Sequence, residues 1–142
     1  MSEITTRVEA SFAAQGLMKT LGATVRSVSD GEVQIDLPFS SGLSQQHGFT
    51  HAGAITSIVD SACGYAALTK APDGCEVVTA EFKINFLRPA IGDFFVAVGN
   101  VVNAGKKLVV CTGEVRAFVA NEPGFKVVAL MQATVSVISS QR

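Results

Sequence analysis

The order of apolar and polar residues predicts a short N-terminal helix followed by a strand. Residues 6–21 carry apolar side chains at loosely helical spacing, and Gly22 follows as a stop signal. Residues 31–37 alternate between apolar and polar side chains, as a strand does when one of its faces is buried. Pro38 ends this strand, and a polar loop over residues 40–50 follows it.

A mostly apolar segment predicts one long helix in the middle of the chain. The segment runs from about residue 52 to residue 69 and is closed by Pro72 and Gly74. At this length a helix is favoured over a buried strand. No other helical segment is apolar enough to lie against a sheet, so this helix is expected in the core.

The second half of the chain predicts an antiparallel sheet. Four runs are rich in β-branched and aromatic residues, and segments containing Gly, Asn or Pro separate them. The runs span residues 76–87, 93–102, 107–119 and 125–138. We expect successive hairpins to join them. The simplest fold is therefore α+β, a curved antiparallel sheet around one buried helix, with the short N-terminal helix added.

Length and charge limit the classes of partner. Domains commonly hold about 100–200 residues, so the 142 residues predict a single domain over 1–142. The net charge of −1 gives no attraction to nucleic acid or to an anionic membrane, and neither is expected as a partner. Only 16% of the residues are charged, which indicates that part of the surface is buried against other copies.

The cysteines and the N-terminus indicate a cytoplasmic protein. The three cysteines show no C-x-x-C spacing, so neither a disulfide framework nor a zinc ribbon is predicted, and a reducing compartment fits best. The N-terminus lacks the basic and then apolar pattern of a signal peptide, and no run approaches about 18 apolar residues. We expect a soluble, cytoplasmic chain.

Asp60 is the only charged residue within residues 37–69, and it lies inside the apolar segment. At about 100° per residue, Asp60 falls on one narrow helical stripe with Gly53, Ser57 and Gly64. A buried, unpaired carboxylate is costly unless it is hydrogen-bonded or protonated, and such groups concentrate at functional sites. The stripe therefore predicts a cleft or a subunit interface. The alternative is that Asp60 only bonds a neighbouring loop or is solvated.

The polar loop places two amides and two imidazoles directly before this helix. These residues are Gln45, Gln46, His47 and His51. The first backbone N–H groups of the helix, those of Ala52 and Gly53, are expected to be unpaired and to form an oxyanion site. No metal site is predicted, because the two histidines lie in a Gly-containing loop and no second carboxylate or Cys completes a ligand set.

The available groups favour thioester hydrolysis. The chain lacks the motifs of serine hydrolases, zincins, P-loop enzymes and dinucleotide enzymes. The remaining candidate groups are a carboxylate and backbone N–H donors. Together they can cleave an acyl bond whose leaving group departs without protonation by a general acid. Thiols ionise near pH 8.5, far more readily than alcohols or amines, so a thioester suits this set best.

Two segments of the chain resemble the hotdog-fold thioesterases of the phenylacetic-acid-degradation (PaaI-type) group. They are QQHGFTHAGAITSIVDSACGYAA over residues 45–67 and TAEFKINFLRPA over residues 79–90. The resemblance implies the hotdog fold, with five to six strands wrapped around one long helix. It implies a homodimer, often paired into a homotetramer, with active sites at the subunit interface. It also implies hydrolysis of a small, aromatic or medium-chain acyl-CoA, without a cofactor, since coenzyme A is part of the substrate.

The resemblance assigns catalytic roles to residues in and before the helix. The family's carboxylate falls on Asp60, as general base towards water or as nucleophile on the thioester carbon. Its H-G-G segment falls on His51, Ala52 and Gly53, and the first backbone N–H after the histidine would polarise the carbonyl. Ala replaces the first Gly here, and a backbone donor survives that change. The family's loop Asn, which orients the water or the base, falls on Gln45.

Further residues are assigned to the substrate or held as alternatives. Gln46 is the alternative to Gln45, and both Gln46 and Ser57 are expected at the substrate. Arg88, with Lys106 and Lys107, would meet the phosphates of coenzyme A at the rim of the sheet. A hydroxyl used by some relatives falls on Thr79. In a strand with regular alternation, Thr79 faces the opposite side from Ala80 and Phe82. It would then reach the site only if this strand lies at the dimer seam.

Two other functions fit the same fold. One is a non-catalytic hotdog module that binds an acyl or aromatic ligand, suggested by Ala52 in place of Gly and by the apolar cleft. The other is a hydratase acting on enoyl thioesters, which would need a histidine beside the carboxylate on the same stripe. His51 precedes the helix, so the hydratase ranks lower than the thioesterase.

Overall fold

In the computed structural model, which describes residues 2–139, six antiparallel strands form one sheet that wraps around a long helix. The helices are α1 (Glu3–Ala14), α2 (Gly16–Leu21) and α3 (Ala52–Leu68). The strands are β1 (Thr24–Ser29), β2 (Glu32–Pro38), β3 (Cys75–Phe86), β4 (Phe94–Ala104), β5 (Leu108–Phe118) and β6 (Lys126–Ser139). This is the predicted α+β architecture. None of the helices in the described residues is long and apolar enough to cross a membrane.

The N-terminal segment forms two helices where the sequence predicts one. Ser2 caps α1 by accepting the backbone N–H of Thr5, and the helix breaks at Gln15, whose backbone is extended. The Gln15 amide donates to the Tyr65 hydroxyl of α3 at 3.0 Å, so this break directs a polar side chain onto the central helix. Gly22 ends α2 in the left-handed conformation, as its position in the sequence predicts.

Strand β1 is absent from the sequence prediction. Its two half-buried side chains, Val25 and Val28, are three residues apart because the register with β2 shifts between Val25 and Ser27. This irregularity removes the two-residue alternation that marks a half-buried strand. Strand β2 keeps that alternation, and its apolar side chains face the core as predicted.

The strand order is β1-β2-β4-β5-β6-β3, so the expectation of four successive hairpins is wrong for β3. Strand β4 pairs with β2 on one side and with β5 on the other, which leaves it no free edge for β3. The segment that follows β3 passes the ends of β6 and β5. Leu87 N–H donates to the Val128 carbonyl of β6, and Asp93 N–H donates to the Phe118 carbonyl of β5. Strand β3 instead pairs with β6 at the edge of the sheet.

Two glycines bring α3 directly onto the sheet. Gly99 of β4 and Gly113 of β5 lie opposite each other in the strand register. A Cβ atom at Gly99 would lie 2.4 Å from the carbonyl carbon and oxygen of Ala62. A Cβ atom at Gly113 would lie 2.6 Å from Val59 Cγ2 and 2.9 Å from Cys63 Sγ. The helix backbone therefore packs against the backbone of β4 at Gly99, the Val59 and Cys63 side chains pack against Gly113, and only glycine fits at these two positions.

Arg7 of α1 holds the carboxyl end of α3. Its guanidinium donates to the carbonyls of Leu68 at 3.3 Å, Ala71 at 2.9 Å and Pro72 at 3.1 Å, and also to the carbonyl of Cys75. The last carbonyls of a helix have no partner within the helix, and a cation there also opposes the helix dipole. One side chain thus ties α1, the end of α3 and the start of β3 together.

We expect Gly99→Ala to destabilise the protein by at least about 2 kcal/mol, because the added methyl group must displace the backbone of α3. Urea unfolding measures the change. Gly16→Ala is the matched control, since a Cβ atom at Gly16 meets no atom within 4 Å. A midpoint for Gly99→Ala equal to that of the control would show that the close approach is not a constraint.

Candidate active site

The outward side of α3 carries the predicted stripe. Gly53 is exposed, and Ser57, Asp60 and Gly64 are half-buried. The side chains on the opposite arc are buried: Ile55, Ile58, Val59, Ala62, Cys63 and Ala66. The helical spacing therefore predicts correctly which side of α3 faces away from the sheet. The Ser57 hydroxyl on this stripe donates to the Gly53 carbonyl one turn earlier, at 2.8 Å.

Asp60 is held by a hydroxyl and by no cation. The Thr79 hydroxyl of β3 donates to Asp60 Oδ1 at 2.8 Å. No Lys, Arg or His among residues 2–139 forms an ion pair with this carboxylate. A half-buried carboxylate with one neutral donor keeps its second oxygen available for another hydrogen bond or for a proton.

The contact with Thr79 corrects the expectation from regular alternation. In β3, Thr79 lies opposite Val135 and Glu81 lies opposite Thr134, so Ala80 is an extra residue without a partner in the register. This bulge exchanges the faces of the strand. Thr79 and Phe82 therefore face the same side of the sheet, and Thr79 reaches Asp60 within a single chain rather than across a seam.

His51 caps the start of α3, and its side chain accepts a hydrogen bond from one of the two N–H groups expected to form the oxyanion site. Its Nδ1 atom accepts the backbone N–H of Gly53 at 2.7 Å, and its carbonyl accepts the N–H of Ala54 at 3.0 Å. The Gly53 N–H is thus paired, contrary to the sequence prediction. The N–H of Ala52 has no hydrogen-bond partner within the described chain and is the donor that this end of the helix offers.

Gln45 stabilises the loop before α3 with its side-chain carbonyl. Its Oε1 atom accepts the N–H of His47 at 2.6 Å and the N–H of Phe49 at 3.1 Å. The side-chain amide NH₂ group of Gln45 is left as a donor. Gln45 lines the cavity at the start of α3, whereas Gln46 is exposed and is not among the residues that line it.

A cavity of about 420 Å³ opens beside the first turn of α3. Its lining is mainly apolar and includes Phe49, Ile55, Phe86 and Val128, with Ala52 at its edge. A small or medium-sized organic group fits such a space.

Arg88 borders this cavity but lies far from the two lysines expected beside it. Arg88 follows Leu87, which bonds Val128 near the start of β6, whereas the Lys107 carbonyl accepts the N–H of Val137 near its end. Nine residues of strand separate these positions, which is about 30 Å. The predicted cluster of Arg88 with Lys106 and Lys107 therefore does not form within one chain.

The carboxylate and the free N–H are too far apart to act together within one chain. Asp60 lies eight residues after Ala52 on the same helix. At about 1.5 Å of rise per residue, the two are about 12 Å apart along the axis. A carbonyl group bound to the Ala52 N–H is therefore out of reach of the Asp60 carboxylate of the same chain.

The two buried thiols, those of Cys63 and Cys111, are not nucleophiles in this site. Burial raises the pKa of the Cys63 thiol well above its usual range, and the nearby Cys111 thiol and Asp60 carboxylate raise it further. Burial raises the pKa of the Cys111 thiol to about 11. Both groups are protonated near neutral pH, and a protonated thiol is a poor nucleophile. Asp60 is therefore the candidate for the reacting side chain.

Comparison with known proteins identifies related families and structures. A family model described as the Thioesterase superfamily matches residues 47–120. A crystal structure of a thioesterase family protein from Silicibacter pomeroyi is similar, with 40% identity, a TM-score of 0.93 and coverage of 96% of this chain and 99% of that one. The PaaI protein from the phenylacetic acid degradation operon of E. coli is 26% identical, with a TM-score of 0.83 and coverage of 96% and 94%.

A relative in Saccharolobus solfataricus, named as a candidate esterase, is 33% identical over 97 residues, which is 68% of this chain and 69% of that protein. Together with the six-stranded sheet around α3, these similarities identify a hotdog thioesterase fold.

We expect His51→Ala to lower the free energy of unfolding by about 1 kcal/mol, because the Gly53 N–H loses its cap. His51→Asn keeps a side-chain acceptor at the N-cap position and should recover most of the loss. Thermal or urea unfolding of the two variants measures the difference. Equal destabilisation by Asn and Ala would contradict a capping role.

Proposed function

The chain belongs to the thioesterase superfamily, and we propose that it hydrolyses acyl-CoA thioesters with Asp60 as its catalytic carboxylate. The observation that carries the proposal is the position of Asp60, half-buried on the outward stripe of α3, bonded by Thr79 and unpaired with any described cation.

The reaction needs only the groups present. Asp60 accepts a proton from water as the water oxygen attacks the thioester carbon. On the alternative route its own oxygen attacks that carbon, the thiolate leaves, and water then hydrolyses the acyl anhydride on Asp60 and restores the carboxylate. The Ala52 N–H stabilises the negative charge that develops on the carbonyl oxygen. The tetrahedral intermediate then expels the thiolate of coenzyme A, which needs no acid because thiols ionise near pH 8.5. Free acid and coenzyme A are the products.

The site is completed by a second copy of the chain. About 12 Å separates Ala52 from Asp60 along α3, so the N–H of one protomer and the carboxylate of its partner act on one carbonyl. Strand β3 supplies the contact, because it is an edge strand of 12 residues with exposed apolar side chains such as Val78 and Phe82.

Antiparallel pairing of two β3 strands about a two-fold axis makes the two α3 helices run in opposite directions. The start of each helix then lies beside the interior of the other. A homodimer, or a dimer of dimers, is therefore the catalytic unit.

The cavity beside Ala52 receives the acyl group, which limits it to a small, aromatic or medium-chain acid. The amide NH₂ group of Gln45 is placed to donate to the carbonyl or to the attacking water. Arg88 is exposed on the wall of the same cavity and makes no ion pair with any described carboxylate, so it is available to an anionic group of the substrate.

Asp60→Asn should lower kcat/KM for acyl-CoA thioesters by at least about 10²-fold, since it removes the base and keeps the shape of the side chain. Release of thiol, followed with a dye, measures the rate over a panel of acyl chains. Asp73→Asn, an exposed change of the same type outside the site, should leave the rate unchanged. Wild-type rates in a folded Asp60→Asn protein would refute the assignment.

Mixed dimers test whether the site is shared. Ala52→Pro removes the free N–H, and proline is tolerated at the first position of a helix after an extended residue such as His51. Asp60→Asn and Ala52→Pro should each be inactive alone. Refolded together, they should recover about a quarter of the wild-type rate, because half of the dimers are mixed and each holds one intact site. A mixture no more active than its parents would place both groups in one chain.

A further inference from the structure

The methyl group of Ala52 lies beside the proposed oxyanion donor. Ala52 is the first residue of α3, is exposed, and lines the apolar cavity of about 420 Å³. At the start of a helix the first N–H groups point out along the axis, and each Cα–Cβ bond tilts towards that same end. The methyl group and the N–H of Ala52 therefore face the same space at the edge of the cavity.

Covalent geometry sets the distance between this methyl group and a carbonyl bound to the N–H. Ala52 follows the N-cap residue His51, so its φ is helical, and at a helical φ the N–H and the Cβ atom lie on the same side of the N–Cα bond. For an N···O distance of about 2.9 Å, the bound oxygen then lies about 3.6 Å from Cβ. This distance is a van der Waals contact. Alanine has no side-chain rotamer that relieves it.

Hydrogen bonds on both sides of Ala52 hold its backbone in place. The His51 N–H donates to the Leu43 carbonyl at 2.8 Å, and the Gly53 N–H donates to His51 Nδ1 at 2.7 Å. The Ala52 carbonyl accepts the Thr56 hydroxyl at 2.8 Å. A group that collides with the Ala52 methyl therefore cannot push it aside without straining these bonds.

The α carbon of the acyl group is the part that this contact restricts. It is bonded to the carbonyl carbon, so its substituents lie next to the carbonyl oxygen, in the space that the Ala52 methyl group borders. An α CH₂ group brings only hydrogen atoms there, whereas an α branch brings a second carbon. In a close-packed apolar site, one methylene group too many or too few changes kcat/KM by about 10–200-fold. A branch on the β carbon lies one bond further away and escapes the contact.

We propose that Ala52 is a specificity-determining residue. Its methyl group excludes acyl groups that are branched at the α carbon, so the site favours thioesters with an α CH₂ group. This inference rests on the proposed thioesterase function, with the Ala52 N–H as its oxyanion donor, and it narrows the class of acyl groups that the cavity accepts.

The test compares two five-carbon isomers, 2-methylbutyryl-CoA and 3-methylbutyryl-CoA, which differ in the carbon that carries the branch. The ratio of their kcat/KM values is measured for the wild type, for Ala52→Gly, which removes the methyl group and keeps the N–H, and for Ala52→Ser, which keeps the Cβ atom. Ala13→Gly, the same change at an exposed position of α1, is the matched control. Differences in the intrinsic reactivity of the two thioesters cancel when the ratio is compared between proteins.

Ala52→Gly should raise the ratio of 2-methylbutyryl-CoA to 3-methylbutyryl-CoA at least about tenfold, because the α branch gains the space of the lost methyl group. Ala52→Ser and Ala13→Gly should not raise it. Thermal unfolding of each variant checks that it is folded.

An unchanged ratio in a folded Ala52→Gly protein would show that the methyl group does not meet the α carbon, while the thioesterase function would stand. A ratio raised equally by Ala52→Gly and Ala52→Ser would show that the effect comes from a loosened helix start and not from the methyl group. If the wild type releases no thiol from any acyl-CoA, the proposed function fails and this inference fails with it.

Discussion

The contact between the backbone of α3 and the glycine pair of β4 and β5 is the constraint on which the site depends. Gly99 and Gly113 place no side chain of the sheet against the helix, so they fix both the depth and the rotation of α3. With the Ala62 side pressed against the sheet, Asp60 must face the other way. Packing in the centre of the protein thus determines where the Asp60 carboxylate emerges.

The two groups of the proposed reaction lie apart on one helix. The first turn of α3 offers the Ala52 N–H and the apolar cavity, and the interior of the helix offers the carboxylate with the Thr79 hydroxyl. Because the start of a straight helix cannot approach its middle, α3 keeps the Ala52 N–H and the Asp60 carboxylate apart within one protomer. In the proposed dimer, two such helices that run in opposite directions bring the groups together without any movement inside either chain.

The sequence predicts those features that arise from local periodicity. The lone charge of Asp60 in an apolar segment places it on the outward stripe, and the β-branched runs locate four of the six strands. The features that depend on distant partners are not predicted. Strand β3 takes the outer edge because other strands occupy both sides of β4, and Thr79 turns inward because Ala80 is left out of the register with β6. The pairing of the Gly53 N–H depends on the rotamer of His51, which no spacing rule encodes.

The loop before α3 has a consequence for the kinetics of the site. The side-chain carbonyl of Gln45 imitates a peptide carbonyl by accepting two backbone N–H groups, and this immobilises a long, flexible side chain. Fixing a glutamine side chain costs about 1.5–2 kcal/mol of rotamer entropy. That loss is incurred when the protein folds, so the thioester of the proposed reaction would meet a donor that is already oriented, and the ordering step would be absent from its association barrier.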